Sequence, residues 1–125
     1  MEIIIANNSD IPIYEQIKNQ IKTMIITGEL QEGDALPSMR ILAKELRISI
    51  ITTKRAYEDL EREGYIDSFT GKGSFVKALN KDMIREQLSF EIEELFGKAI
   101  DKSKTAQMDF EQLVELLRIC YENSD

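Results

Sequence analysis

The sequence predicts a mainly α-helical chain with a small β-wing: a winged helix-turn-helix head followed by a short two-helix tail. Three observations predict it. Two helical patterns between Ser38 and Gly64 are separated only by an Arg47-Ile48 turn. Two short β-prone runs, Tyr65–Ser68 and Ser74–Val76, bracket Phe69-Thr70-Gly71-Lys72-Gly73. Beyond Leu79, apolar residues recur by threes and fours through two further helices. The expected division is therefore a head over residues 1–78 and a helical tail over 79–125.

Met1 to Ala6 is apolar enough to be a strand or an arm, and its pattern does not choose between them. Asp10 to Pro12 marks a helix start, since proline is tolerated in a first turn where its missing N–H would be unsatisfied anyway. Tyr14, Ile17, Ile21, Met24 and Ile25 form that helix's buried stripe up to Gly28, and it completes a three-helix core. Leu36-Pro37 is a short extended lead-in, because Pro37 pushes its predecessor out of the α region. Ser38 then caps a helix through Leu46, with Ile41, Leu42 and Leu46 apolar and Ala43 small enough for a tight crossing.

The next helix has both ends marked. Ser49 is a good N-cap, and Gly64 stands at the C′ position, where a positive φ is needed. Thr53, Ala56, Tyr57 and Leu60 recur at i, i+3, i+4, i+7 and make one narrow buried face, so Ile50, Ile51, Thr52, Lys54 and Arg55 face outward. This helix is charged against its own dipole: Lys54 and Arg55 lie near its start, while Glu58, Asp59, Glu61 and Glu63 crowd its end. One account is i,i+4 pairing of Lys54 with Glu58 and Arg55 with Asp59 on a solvated face, worth about 0.2–0.5 kcal/mol per pair. The other is that the basic half is presented to phosphates and base edges in a major groove and the acidic half stays clear of DNA. The Gly71-Lys72-Gly73 tip adds to the second account, since two glycines let a lysine approach a phosphate closely.

In the tail, Asn80 can cap a helix whose apolar residues are Ile84, Leu88, Ile92, Leu95, Phe96, Ala99 and Ile100. Asp109 and Gln112 make a capping box for a second helix, with Phe110, Leu113, Val114, Leu117, Cys120 and Tyr121 on one side. A two-helix hairpin cannot bury both stripes by itself. It needs either the head or a second copy of itself.

At 125 residues with 42% hydrophobic residues, the chain suffices for one domain and an appendage. Without an apolar run near the length of a membrane span or a basic-started signal peptide, a cytoplasmic protein with no membrane partner is expected. The lone Cys120 cannot form an internal disulfide, and on an apolar helix face it is expected in a core rather than as a redox sensor. Net charge −7 and pI ≈ 4.7 argue against indiscriminate nucleic-acid binding. Locally, however, Arg40, Lys44, Arg47, Lys54 and Arg55 stand against Glu45 alone. An enzyme is hard to build: the chain has no histidine, no nucleophile beside a base, no phosphate-cradling glycine loop and no metal-ligand spacing, so no catalytic residue, metal or cofactor is expected.

Leu36-Pro37-Ser38-Met39-Arg40, the run from Ala56 to Ile66, and Gly71-Lys72-Gly73-Ser74-Phe75-Val76 resemble the DNA-binding head of the GntR family of bacterial transcription regulators. Lys54-Arg55-Ala56-Tyr57 and the short remainder are similar to its YtrA-like subfamily. The resemblance implies a repressor that binds a pseudo-palindromic duplex operator as a homodimer. It implies DNA contacts at Arg40, at Ser49, Ile50, Ile51, Thr52, Lys54 and Arg55, and at Thr70, Gly71, Lys72 and Gly73. One departure stands out. Ile50 occupies a position where many family members carry a guanine-reading arginine, so Ile50 and Ile51 either meet thymine methyls or, in the case of Ile50, fold back on the protein. The resemblance also favours the second copy as the tail's partner, with Leu88, Ile92, Leu95 and Phe96 meeting the other subunit and Leu113 and Leu117 in support. The rival from another class is a winged-helix protein-interaction module that does not bind DNA, and a small-molecule effector of the tail stays open.

Overall fold

The computed structural model describes residues 1–124. In chain order they form α1 (Ile13–Ile26), α2 (Met39–Leu46), α3 (Ile50–Arg62), β1 (Ile66–Phe69), β2 (Gly73–Val76), α4 (Lys81–Thr105) and α5 (Phe110–Glu122). The chain divides into two compact units, Met1–Lys81 and the residues from Asp82 onward, a few residues later than the change in sequence pattern at Leu79.

In the first unit α1 and α2 both pack on α3. The predicted stripes do the packing: Ile17, Ile21, Met24 and Ile25 of α1, Leu42 of α2, and Ala56, Tyr57 and Leu60 of α3 join Ile3, Leu36, Ile66 and Val76 in one core. Tyr14 is only half-buried and Ile41 faces solvent, so each falls at the edge of its stripe. Burial pushes the Tyr57 hydroxyl above its ordinary pKa, and its O–H donates to the Pro37 carbonyl at 2.7 Å, which fixes the lead-in to α2.

Met1 to Ala6 is an arm without regular structure, held by two glutamines of α1. The Gln20 side-chain amide donates to Ile4 O and accepts from Ile4 N–H, and the Gln16 amide does the same with Ala6. Each amide thus does what a neighbouring strand's peptide would do, and this tethers the arm while Ile3 enters the core.

The β-wing is an antiparallel pair with Ile66 opposite Val76 and Phe69 opposite Gly73. Phe69 and Gly73 are therefore strand residues, and the tip is shorter than the five-residue bracket in the sequence, comprising Thr70, Gly71 and Lys72. Positive φ at Gly71 (79°) and Gly73 (101°) makes so tight a reversal possible. The lead-in before Pro37 joins the sheet edge, with Leu36 N–H donating to Ser74 O and Val76 N–H to Asp34 O, both at 2.9 Å.

In the second unit the Asp109/Gln112 capping box is formed at the start of α5. Almost nothing else there is buried: Ser103 is the one buried residue among those described. Leu95, Phe110 and Tyr121 are well exposed, and Leu113 and Val114 are half-buried. Cys120 is exposed, against the expectation of a core position, because the helical hairpin that carries it encloses no core. Phe90 and Met83 are also exposed and lie off the predicted stripe of α4.

Candidate nucleic-acid interface

The helix-turn-helix is built from three local devices. Ser38 Oγ accepts from Ile41 N–H at 3.1 Å and Ser49 Oγ from Thr52 N–H at 3.1 Å, so each helix starts at its serine. Arg47 turns the chain between them in the left-handed region at φ 56°, and Ile48 N–H closes the turn on Ala43 O at 3.0 Å. Holding a non-glycine residue there costs on the order of 1 kcal/mol. The third device is Thr53, whose hydroxyl, buried in the crossing, shares its one proton between Met39 O of α2 at 3.1 Å and Ile50 O at 2.9 Å.

These devices leave the outward face of α3 as predicted. Ile50 is 41% exposed and Ile51 79% exposed, and Lys54 is exposed, 3.9 Å from Glu58. Thr52 is half-buried with its hydroxyl 2.9 Å from that of Ser49. Arg55 does not pair with Asp59. Its guanidinium stacks over the Tyr14 ring at 3.8 Å, while Asp59, buried at the α1 side, takes Arg62 at 2.6 Å and Lys18 at 3.8 Å. Stacking and not ion pairing therefore sets where Arg55 can reach. No sequence spacing marks this contact, because Tyr14 comes from another helix.

The acidic end of α3 also differs from a merely solvated face. Glu63 Oε1 lies 2.6 Å from Lys22 Nζ and Oε2 lies 3.4 Å from Lys18 Nζ. Burial alone would raise the Glu63 carboxyl, but its hydrogen bond to Lys22 and the charges of Lys22 and Lys18 outweigh that and hold it below its ordinary 4.5. Glu61 Oε2 accepts from the Ser68 N–H of β1 at 2.6 Å. The carboxylates that oppose the helix dipole thus bind α1 and the wing, and that is their compensation.

The cations of this unit differ in their partners. Lys18, Lys22, Lys54, Arg62 and Lys77 each lie within 4.0 Å of a carboxylate, the Lys54–Glu58 and Lys77–Asp67 pairs being long, at 3.9 Å, and exposed. Arg40 and Lys44 on α2, Arg47 in the turn and Lys72 at the wing tip are exposed and make no ion pair among the described residues. Thr70, Gly71, Lys72 and Gly73 are all exposed, and Lys72 N–H donates to Phe69 O at 3.0 Å, which fixes the turn and leaves the lysine side chain outside it. Lys44 and Arg47 are exposed like Arg40, with which the charge pattern of the sequence already groups them.

Residues 13–76 match the family described as bacterial regulatory proteins, gntR family. The HTH-type transcriptional repressor YtrA of Bacillus subtilis (strain 168) is 34% identical over 116 residues, covering 93% of this chain and 89% of that protein. A GntR family transcriptional regulator from Listeria monocytogenes superposes with a TM-score of 0.67 at 32% identity, covering 89% of this chain and 96% of that one. A crystal structure of AraR(DBD) in complex with operator ORX1 superposes over 61% of this chain and 95% of its own, with a TM-score of 0.54 and 26% identity.

Proposed function

The chain belongs to the gntR family of bacterial regulatory proteins and is a DNA-binding transcription regulator; we propose that it acts as a repressor, a homodimer on a two-fold operator. In this reading α3 lies in the major groove, with Ser49, Ile50, Ile51, Thr52 and Lys54 toward the bases. Arg40 and Arg55 flank it at the phosphates, and the Thr70–Gly73 tip reaches the backbone or the minor groove alongside. The observation that carries it is the distribution of cations: Lys18, Lys22 and Arg62 are paired closely within the protein and Lys54 has only a long exposed contact with Glu58, whereas Arg40, Lys44, Arg47 and Lys72 have no ion pair among the described residues and are left to meet an external anion. Neutralising phosphates releases counterions, so the acidic remainder of a chain of net charge −7 would discourage binding away from that face.

The dimer is supported by the second unit, where α4 and α5 leave an apolar cleft of about 340 Å³ between Phe96, Ile100, Phe110, Leu113, Leu117 and Cys120. A second copy, bringing its own Leu88, Ile92, Leu95 and Phe96, would supply the side chains that one hairpin lacks. A two-fold protein then pairs two heads and calls for two half-sites.

The test is affinity against salt on duplexes from the promoter of the chain's own operon. Arg40→Ala and Lys54→Ala should each weaken binding by about 1–3 kcal/mol where they touch bases, or reduce the salt slope by about one where they touch phosphate. Lys72→Glu should weaken operator and random duplexes alike if its contact is to the backbone alone. A parent protein without salt-dependent duplex binding would mark this winged helix as a protein-interaction module. Unchanged affinity in the Arg40 and Lys54 variants would take α3 out of the groove.

A further inference from the structure

The first turn of α3 has most of its hydroxyl groups engaged within the protein, one O–H of the Ser49–Thr52 pair remaining free among the described residues. Ser49 Oγ takes the Thr52 N–H and faces the Thr52 hydroxyl at 2.9 Å, and the Thr53 hydroxyl is buried against Met39 O and Ile50 O. Beside that small hydroxyl pair, the outward surface before Lys54 is two branched hydrocarbons. Ile51 is the more telling, since at 79% exposed it packs on almost nothing of its own chain and adds nothing to the core. Ile50, at 41%, keeps part of its surface on the protein and presents the rest.

An apolar side chain in that place has one complement in a B-form major groove. Guanine, adenine and cytosine edges offer hydrogen-bond donors and acceptors that an isoleucine cannot use, and would lose water to it without compensation. The thymine C5-methyl is the apolar feature of that groove. We propose that Ile51, with Ile50 beside it, reads thymine methyl groups, so that each half-site carries A·T pairs at the one or two adjacent positions facing the first turn of α3. This rests on the proposed seating of α3 in the groove, and deepens it by naming the bases. The unpaired cations nearby on α2 and the turn would hold the backbone, and the isoleucines would supply discrimination where no side chain of the turn is free to make a bidentate bond to guanine.

The experiment takes full-length protein and selects duplexes from a randomised pool at low salt. In the selected duplex each thymine is then replaced by uracil, which removes the methyl and nothing else. Uracil at one or two adjacent positions per half-site should weaken binding about fourfold each, the worth of one buried methyl-sized group, and be silent elsewhere. Ile51→Ala should weaken binding to the thymine duplex and bind its uracil counterpart equally well, with unchanged circular dichroism because the side chain supports no core. Tight selection with thymine and uracil equivalent at every position overturns the proposal while leaving DNA binding intact. A uracil effect that persists in full in both Ile51→Ala and Ile50→Ala overturns it too, since the methyl would then be read by another group. Failure to select any duplex above random sequence overturns the DNA-binding seat itself.

Discussion

Between Met1 and Lys81 the chain closes a core on Ile17, Ile21, Tyr57, Leu60 and Ile66, each at most 1% exposed, whereas from Asp82 onward two helices rich in Leu, Ile and Phe bury only Ser103. The apolar periodicity of α5 is as good as that of the head's helices, while α4 scatters apolar residues such as Met83 and Phe90 off its stripe, so periodicity accounts for only part of the difference. Geometry supplies the rest. Three helices and a hairpin approach the head's centre from several directions, and each covers what its neighbours leave open. The two tail helices touch each other little, and most of the apolar residues along both stay wet. The head closes a core of its own, while the second unit by itself leaves most of its apolar surface uncovered.

The largest effect that would break this comparison is at Leu60. Leu60→Ala removes a side chain with no exposed surface and should cost about 2–5 kcal/mol, a large part of the roughly 5–15 kcal/mol that holds an ordinary domain. The loss should be the same at every protein concentration. Leu95→Ala should behave oppositely, leaving the head's melting alone and shifting the protein toward monomer in light scattering at about micromolar concentration, with operator affinity falling in parallel. Concentration-independent mass in the parent, monomeric throughout, would mean that the tail's apolar surface serves something other than a second copy.

How far the sequence carried these conclusions depends on the range of each signal. Ser38, Ser49, the Asp109/Gln112 box and Gly64 act within a few residues of themselves, and all are where their patterns place them. The buried face of α3 was legible for the same reason. Contacts between distant residues were not: Gln16 and Gln20 hold the N-terminal arm, Lys22 reaches Glu63 across forty-one positions, and Arg55 finds Tyr14 and not Asp59. Nothing in the spacing of those residues singles out the partner, so the acidic end of α3 looked solvated when it is an attachment. The outward residues of the candidate interface were legible as outward, but the cation distribution that gives them meaning needed the ion pairs first.

A smaller effect tests whether the head's rigidity extends to its wing. Glu61 ties Ser68 N–H of β1 to α3, and Ser68 Oγ lies 2.7 Å from Ser74 Oγ across the hairpin. Glu61→Ala should lower operator affinity about two- to tenfold, the range of one hydrogen bond of about 0.5–1.5 kcal/mol, without touching DNA itself. If the loss comes from a wing set free, it should not add to that of Lys72→Ala, since both variants forfeit the same contact. Simple additivity in the double variant would show that the wing is held in place by its other bonds.

The smallest effect concerns acid. Glu63 has its carboxyl held below 4.5 in the folded head by Lys22 and Lys18, against the opposing pull of burial. A depressed carboxyl stabilises the fold above its unfolded value, and that stability is lost as pH falls through the folded value, so the window lies below about 4.5. With a third of the side chain exposed, solvent screens the pair, and its worth is under about 1 kcal/mol. Glu63→Gln keeps the shape and removes the charge. Melting temperature against pH should then fall less steeply for Glu63→Gln than for the parent below about 4.5, and strong salt should narrow the gap between them. Parallel curves would mean that the acidic end of α3 is joined to α1 by packing alone, with its charges contributing nothing to the head's independence.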